Sequence, residues 1–393
     1  MLIILKPTND CNCRCVYCSA SYPHQAAAGR MTAAVFESIL GKAVEYQRTR
    51  PGDSVQFLWH GGEPLLMKPD FYDRVVDLTE SYGRESGVNI SHIMQSNLHL
   101  LNADNAPVIA RLLARGALSS SFEVLAGVRL TKSPGSDYMK DFERGLKVAV
   151  DHGLSVNAVY VVHRRSLERW EQVLSYVMNS PLRGLRLSPL EKLGRARGRV
   201  FDDLGITALE WGEFLWNSHS WLAGRPHKPV EPFEEWGLSR SPSMSGGSCA
   251  YKSCLDGILA FDFAGRAYGC GHFLDKQLSC YGSIRSRGLQ VLLDHPARQR
   301  ILNRKVFLSR TECAGCRAWD RCRAGCPMDG RYEDLIPYRR TAWCAGHKYF
   351  FERLDSASRK ASAPGKNAAS GVARGVSPVR MKGPGRKDSR TKK

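Results

Sequence analysis

Apolar and polar residues follow two alternating periods along the first half of this 393-residue chain. Short apolar or β-branched runs, each ending near polar, Gly or Pro residues, predict strands over Leu2–Leu5, Val55–Trp59, Asn89–Gln95, Leu118–Val124, Ser155–Val162 and Leu185–Pro189. Between them apolar positions recur every three to four residues. Thr32 stands where an N-cap belongs for a helix over Ala33–Gln47, with Val35, Phe36, Ile39, Leu40 and Ala43 on one face. The same period predicts helices near Pro69–Tyr82, Ala106–Ala114, Asp137–His152 and Leu167–Met178. Strand–helix units repeated in this way imply a parallel sheet with helices outside it. Six units are too few to close an eight-stranded barrel. The expected fold class is therefore α/β, with an open, partial (β/α)6 TIM-like barrel over residues 1–204.

The pattern changes beyond the barrel. Residues 205–248 hold one helical stretch, Thr207–Leu222, and then turn rich in Pro, Ser and Gly, as a linker or bridging region would. From 249 to 351 the chain is rich in Cys, Gly and Arg, which predicts a small second domain. Residues 352–393 have few apolar side chains to offset their ordering entropy, so a disordered tail is expected. From Asp355 to Lys393 there are eleven Lys/Arg and two Asp, a charge of +9 out of +19 for the whole chain. That excess reads as a solvated basic tail rather than a nucleic-acid-binding arm. There is no run of eighteen apolar residues and no signal-peptide pattern, so a cytoplasmic location with reduced thiols and no membrane partner is expected.

Thirteen cysteines in a reducing compartment point to metal ligation rather than disulfides. Cys11, Cys15 and Cys18 directly follow the first strand, on the face where a parallel barrel builds its active site. Three thiolates can hold three irons of a four-iron cluster and leave the fourth open to a small chelating ligand. The spacing alone also admits a zinc site or a redox thiol group. Cys13 has no place in that spacing. Gly61-Gly62-Glu63-Pro64 follows the second strand, where glycines let backbone approach a ligand and a carboxylate can receive an ammonium. Gln95-Ser96-Asn97 closes the third strand and Ser121-Phe122-Glu123 the fourth.

Together these motifs resemble the radical S-adenosylmethionine (SAM) superfamily, whose CxxxCxxC pattern carries an aromatic residue before the last cysteine, here Tyr17. The resemblance implies a [4Fe-4S] cluster on Cys11, Cys15 and Cys18, with SAM chelating its open iron. Reductive cleavage of SAM then yields a 5'-deoxyadenosyl radical that abstracts a hydrogen atom. Implied SAM contacts are Tyr17, Gly61, Gly62, Glu63, Pro64, Asn97 and Ser121, with an arginine for the SAM carboxylate. Arg144 is taken for that role, and Arg129 is the other candidate. Glu123 replaces the family's Asp, which leaves its role open.

The later cysteines resemble the SPASM domain of radical SAM enzymes that modify peptides and proteins. That resemblance implies two auxiliary [4Fe-4S] clusters, for three clusters in all. One set is Cys249, Cys254, Cys270 and Cys326; the other is Cys313, Cys316, Cys322 and Cys344. Zinc is the competing occupant, and Cys280 is left over. His60 and His272, beside these motifs, are as well explained by packing. The implied activity is a maturase that oxidises or crosslinks a residue of a peptide or protein substrate, with a reducing partner such as flavodoxin or ferredoxin. Maturation of ribosomal peptide natural products is the expected setting. The Trp59–Met67 stretch also resembles anaerobic sulfatase-maturing enzymes, which make formylglycine, although their S-x-D-G-P stretch is missing at Ser121–Arg129. A non-catalytic iron–sulfur electron carrier is the reading from another class.

Overall fold

All six expected strands form, as β1 (Leu2–Leu5), β2 (Ser54–Trp59), β3 (Asn89–Gln95), β4 (Leu118–Ser121), β5 (Val156–Val162) and β6 (Leu185–Pro189). Between them run α1 (Ala33–Arg48), α2 (Pro69–Ser86), α3 (Ala106–Leu112), α4 (Tyr138–Asp151) and α5 (Trp170–Met178). This computed structural model describes residues 1–20, 29–48, 50, 54–238, 255–273, 280–329 and 338–362. Local signals set several boundaries. Asp137 caps α4 by accepting from Lys140 N at 3.0 Å, and Gly87, at φ 73°, ends α2 in the left-handed conformation. β4 ends three residues before its expected limit. Phe122 leaves the ladder there to pack among Phe142, Tyr160 and Tyr176.

The strands pair in parallel, with Leu5 opposite Trp59, Trp59 opposite Met94, Gln95 opposite Ser119, and Val159 opposite Arg186. Side chains alternate between the two faces of such a sheet. Val55, Phe57 and Trp59 are buried towards the helices, where Phe36 of α1 meets Phe57 and Trp59 at ring distances of 5.3 and 5.4 Å. The alternate positions are half-buried and largely polar. On that face Gln56 Nε2 lies 3.4 Å from Ser91 Oγ and Gln95 Nε2 lies 3.4 Å from Ser121 Oγ. Parallel pairing also brings the loops that follow all six strands to one end of the barrel.

The sheet continues past β6. After α6 (Arg199–Leu204) and α7 (Ala208–Leu222), strand β7 (Val230–Glu231) pairs in parallel with β6. A Thr207–Glu210 capping box starts α7. The stretch expected as a linker thus supplies a capped helix and an edge strand within its described part. On the other side β8 (Ile258–Phe261) pairs in parallel with β1, Leu2 facing Ile258, and β9 (Arg266–Tyr268) and β10 (Gly282–Ser283) follow antiparallel. The order is β10-β9-β8-β1-β2-β3-β4-β5-β6-β7. The cysteine-rich region is therefore joined to the barrel through one sheet, and residues Met1–Arg353 form one compact unit.

The remaining helices are α8 (Leu289–Leu293), α9 (Pro296–Ser309), α10 (Trp319–Cys322) and α11 (Cys344–Ser362). The segment expected to lose structure at residue 352 is helical through 362. Residues 239–248, Cys249, Cys254 and 363–393 lie outside the described residues. No described helix is long and apolar enough to cross a membrane.

Candidate active site

The loop after β1 carries the first cysteines and is pinned along its length to the segment following β4. Arg14 N donates to Leu130 O at 2.8 Å, Val16 N to Val128 O at 3.0 Å, and Lys132 N to Asn12 O at 2.9 Å. Cys11, Cys15 and Cys18 are partly exposed free thiols, whereas Cys13 is buried. Cys13 N lies 3.3 Å from Cys11 Sγ. Hydrogen bonding from the Cys13 thiol draws the Cys11 pKa down to about 6, and the same bond together with burial pushes Cys13 up. These shifts favour the thiolate form at Cys11 and the thiol form at Cys13. Burial raises Cys18. Three free thiols on one fixed, accessible loop fit a cluster with one open iron.

The Gly-Gly-Glu-Pro turn packs directly on this loop. Gly62 N donates to Thr8 O at 3.0 Å and Glu63 N to Asp10 O at 2.7 Å. A Cβ on Gly62 would collide with the Asp10 carbonyl, and Gly61 sits at φ 117°, so neither position accepts another residue without strain. Glu63 is 1% exposed and faces inward. It accepts from Ser96 Oγ at 2.7 Å, Leu65 N at 3.0 Å and Asn97 N at 2.8 Å. The same carboxylate ties the loops after β2 and β3 together. The Pro64 carbonyl is likewise taken, by the Tyr72 hydroxyl at 2.9 Å. Half-buried Gly62 is the part of the turn open to a ligand. Burial, then the nearby charges of His272 and Lys6, holds His60 down at about 4.

Asn97 reaches the cysteine loop, its Nδ2 donating to Asn12 Oδ1 at 2.7 Å and lying 3.9 Å from Cys11 Sγ. Ser121 ends β4 with its carbonyl accepting from the Tyr138 hydroxyl at 2.7 Å. The two arginines separate clearly. Arg129 Nε donates to the Tyr17 hydroxyl at 2.9 Å, and its Nη1 lies 3.3 Å from Tyr138 Oη and 4.0 Å from Cys15 Sγ. Arg144, the arginine expected at the SAM carboxylate, is 52% exposed on α4 and bonded to the His99 carbonyl and Asp141. Its helical position turns it to the surface, so Arg129 is the arginine that borders the cysteine loop. Sequence reasoning also passed over Tyr138, Tyr160 and His163. His163 immediately follows β5 at the active-site end of the barrel, and that position was the available signal.

Among the later cysteines, Cys313, Cys316, Cys322 and Cys344 line one pocket together with Trp319 and His347. Cys322 Sγ is 3.5 Å from His347 Nδ1, and burial pushes Cys322 up to about 12. Cys270 and Cys326 meet in a second cluster of packed residues that also takes in Cys280. Their expected co-ligands Cys249 and Cys254 are outside the described residues. Among the described residues no three Cys, His, Asp or Glu side chains are closed into a single-ion site.

The site is an open parallel barrel with three free thiols on its first loop and a two-glycine turn packed behind them. Residues 5–177 match the radical SAM superfamily, so this segment of the barrel is a radical SAM domain. Over 363 residues the chain is 24% identical to the serine-type anaerobic sulfatase-maturating enzyme of Klebsiella aerogenes, covering 90% of this chain and 84% of that protein. It is 20% identical over 369 residues to the cysteine-type enzyme of Clostridium novyi, covering 89% and 94%. Among solved structures, native anSMEcpe with bound AdoMet and Cp18Cys peptide superposes with a TM-score of 0.75 at 19% identity, covering 92% of this chain and 99% of that one. Streptococcus suis SuiB bound to its precursor peptide SuiA gives 0.57 at 15% identity, covering 87% and 75%.

Proposed function

We propose that the chain is a radical SAM maturase that oxidises a serine or cysteine side chain of a peptide or protein, in the manner of the anaerobic sulfatase-maturating enzymes. The observation that carries this reading is the extent of the match. Serine-type and cysteine-type sulfatase-maturating enzymes align over about nine-tenths of the chain, through the barrel and the cysteine-rich region alike. This reverses the order expected from the motifs, where ribosomal peptide maturation stood first as the commonest setting and the missing S-x-D-G-P stretch counted against the sulfatase type. In this chain that stretch is replaced by a different construction, in which Glu123 and Arg129 meet through Tyr17. Crosslinking of a ribosomal peptide is the second reading, and its support is the fold shared with SuiB.

In the proposed site Cys11, Cys15 and Cys18 hold the cluster. A four-iron cluster held there would supply, together with SAM, the radical chemistry for taking a hydrogen atom from the substrate. Arg129 offers its guanidinium to the SAM carboxylate, a fork-to-carboxylate pairing that a lysine does not reproduce. Gly62 gives SAM close access to backbone. Cys313, Cys316, Cys322 and Cys344 form the ligand set of one auxiliary cluster, and Cys270 and Cys326 half of another. An electron-carrier protein such as flavodoxin or ferredoxin supplies the reducing electron.

The test is anaerobic turnover of the cluster-loaded full chain with SAM, a reductant, and peptides spanning the serine or cysteine target of a sulfatase. Mass spectrometry should show 5'-deoxyadenosine and loss of two hydrogens from the serine peptide. SAM cleavage with both peptides unchanged would overturn the sulfatase-type reading in favour of another peptide. No SAM cleavage at full iron loading would make the chain an electron carrier.

A further inference from the structure

We propose that Glu123 is a positioning residue for SAM, acting through Tyr17 on Arg129, and that Tyr160 and His163 hold it in place. The proposal rests on Arg129 being the arginine that receives SAM.

Glu123 lies just beyond the end of β4 and is 2% exposed. A buried carboxylate needs donors on both oxygens, and this one has four. Oε1 accepts from Tyr160 Oη at 2.8 Å and Leu125 N at 3.2 Å. Oε2 accepts from His163 Nε2 at 3.0 Å and Tyr17 Oη at 3.4 Å. His163 and Tyr160, from β5 and its end, are fully buried. One side chain therefore joins the loops or ends of three strands, β1 through Tyr17, β4 through itself and Leu125, and β5 through Tyr160 and His163.

The chain of contacts leads to the cysteines. The Tyr17 hydroxyl donates to Glu123 and accepts from Arg129 Nε at 2.9 Å. Arg129 bridges Tyr17 and Tyr138 and points an Nη towards Cys15. Without the carboxylate, the Tyr17 hydroxyl loses the acceptor that orients its proton away from Arg129. The lone pair offered to the guanidinium is then no longer fixed in direction. Tyr17, Tyr160 and His163 around Glu123 are buried, whereas Arg129 is long and partly exposed. A change at Glu123 is therefore expressed at the arginine. Glutamate also suits the site better than aspartate. Its extra methylene lets one carboxylate meet donors from two neighbouring strands at once.

The test measures SAM binding to the anaerobic, cluster-loaded full chain, alongside iron content and thermal midpoint. Glu123→Gln replaces one acceptor oxygen with a donor, which faces existing donors. Tyr17→Phe removes only the hydroxyl bridge. Both are expected to raise the SAM Kd about tenfold or more, the scale at which outer-shell partners act, with iron content unchanged. The rise should appear in KM for SAM more than in kcat for SAM cleavage. Combined with Arg129→Lys, Glu123→Gln should add little further loss, because both act on one contact. Wild-type SAM affinity in fully loaded Glu123→Gln and Tyr17→Phe, or additive losses with Arg129→Lys, would overturn the proposal. A lowered midpoint with unchanged SAM affinity would overturn it too, by making Glu123 structural only. Failure of the wild-type chain to bind SAM would instead overturn the reading on which the proposal rests.

Discussion

His92 offers a quantitative test of how the barrel core supports the site. Its ring is 3% exposed, between Phe57 and Trp59 at 5.4 and 6.0 Å. Trp59 Nε1 donates to Nδ1 at 3.1 Å, and Nε2 lies 3.0 Å from Thr79 Oγ1. Trp59 is two residues before Gly61, so this packing steadies the strand end from which the glycine turn departs. Burial depresses the His92 pKa from 6.5 to about 3. The unfolded chain thus takes up the proton first as pH falls. Stability contributed by the neutral ring is complete above pH 6.5 and is lost progressively towards pH 3. Proton linkage puts the loss from this residue at roughly 1 kcal/mol at pH 5.5 and roughly 3 kcal/mol at pH 4.5. His92→Gln keeps an amide that can serve Trp59 and Thr79 but does not titrate. Urea unfolding of the reduced apoprotein at pH 7.5, 5.5 and 4.5 should therefore show wild type losing those amounts more than the variant. The comparison is of slopes, so a lower starting stability of the variant does not enter. Parallel curves for the two proteins would refute the reasoning.

Replacing Cys11, Cys15 and Cys18 together with Ala should remove about four irons per chain and all SAM cleavage, while Cys13→Ala keeps the iron; metal analysis and 5'-deoxyadenosine assays check both. Arg129→Lys should weaken SAM binding about tenfold or more, and Arg144→Ala should leave it within about twofold of wild type, as read by equilibrium dialysis of loaded enzyme. Gly62→Ala forces a Cβ against the Asp10 carbonyl and should cost about 1–3 kcal/mol together with cluster loading, measured by thermal unfolding and iron content. Substitution of Cys322 or Cys344 by Ala should remove about four irons but leave the SAM-dependent spectral change of the first cluster in place.

Much of the architecture was legible along the chain because its signals are local. The period-two strands ran into period-3.6 helices six times, and parallel order follows from that alternation alone. The cysteine spacing, the two glycines and the tyrosine before Cys18 are likewise contiguous in sequence, and contiguous residues share a loop. What the tertiary structure decided depends on contacts between distant segments. Val230–Glu231 and Ile258–Phe261 stand outside the strand–helix alternation, and the register of β6 and β1 makes them part of one ten-stranded sheet. Arg129 and Arg144 look equivalent as residues. Only the pairing of residues 14–16 with 128–130 brings one to the cysteines, and only the turn of α4 carries the other to the surface. Glu63 looked like a ligand because a carboxylate is acidic wherever it stands in a sequence. Folding surrounds it with three donors from two loops, and a buried carboxylate so satisfied is an anchor. Which chemistry the chain carries is readable along it, since that depends on residue types at short spacing. The fold decided which of several like residues performs it, because that depends on the direction in which each side chain is buried.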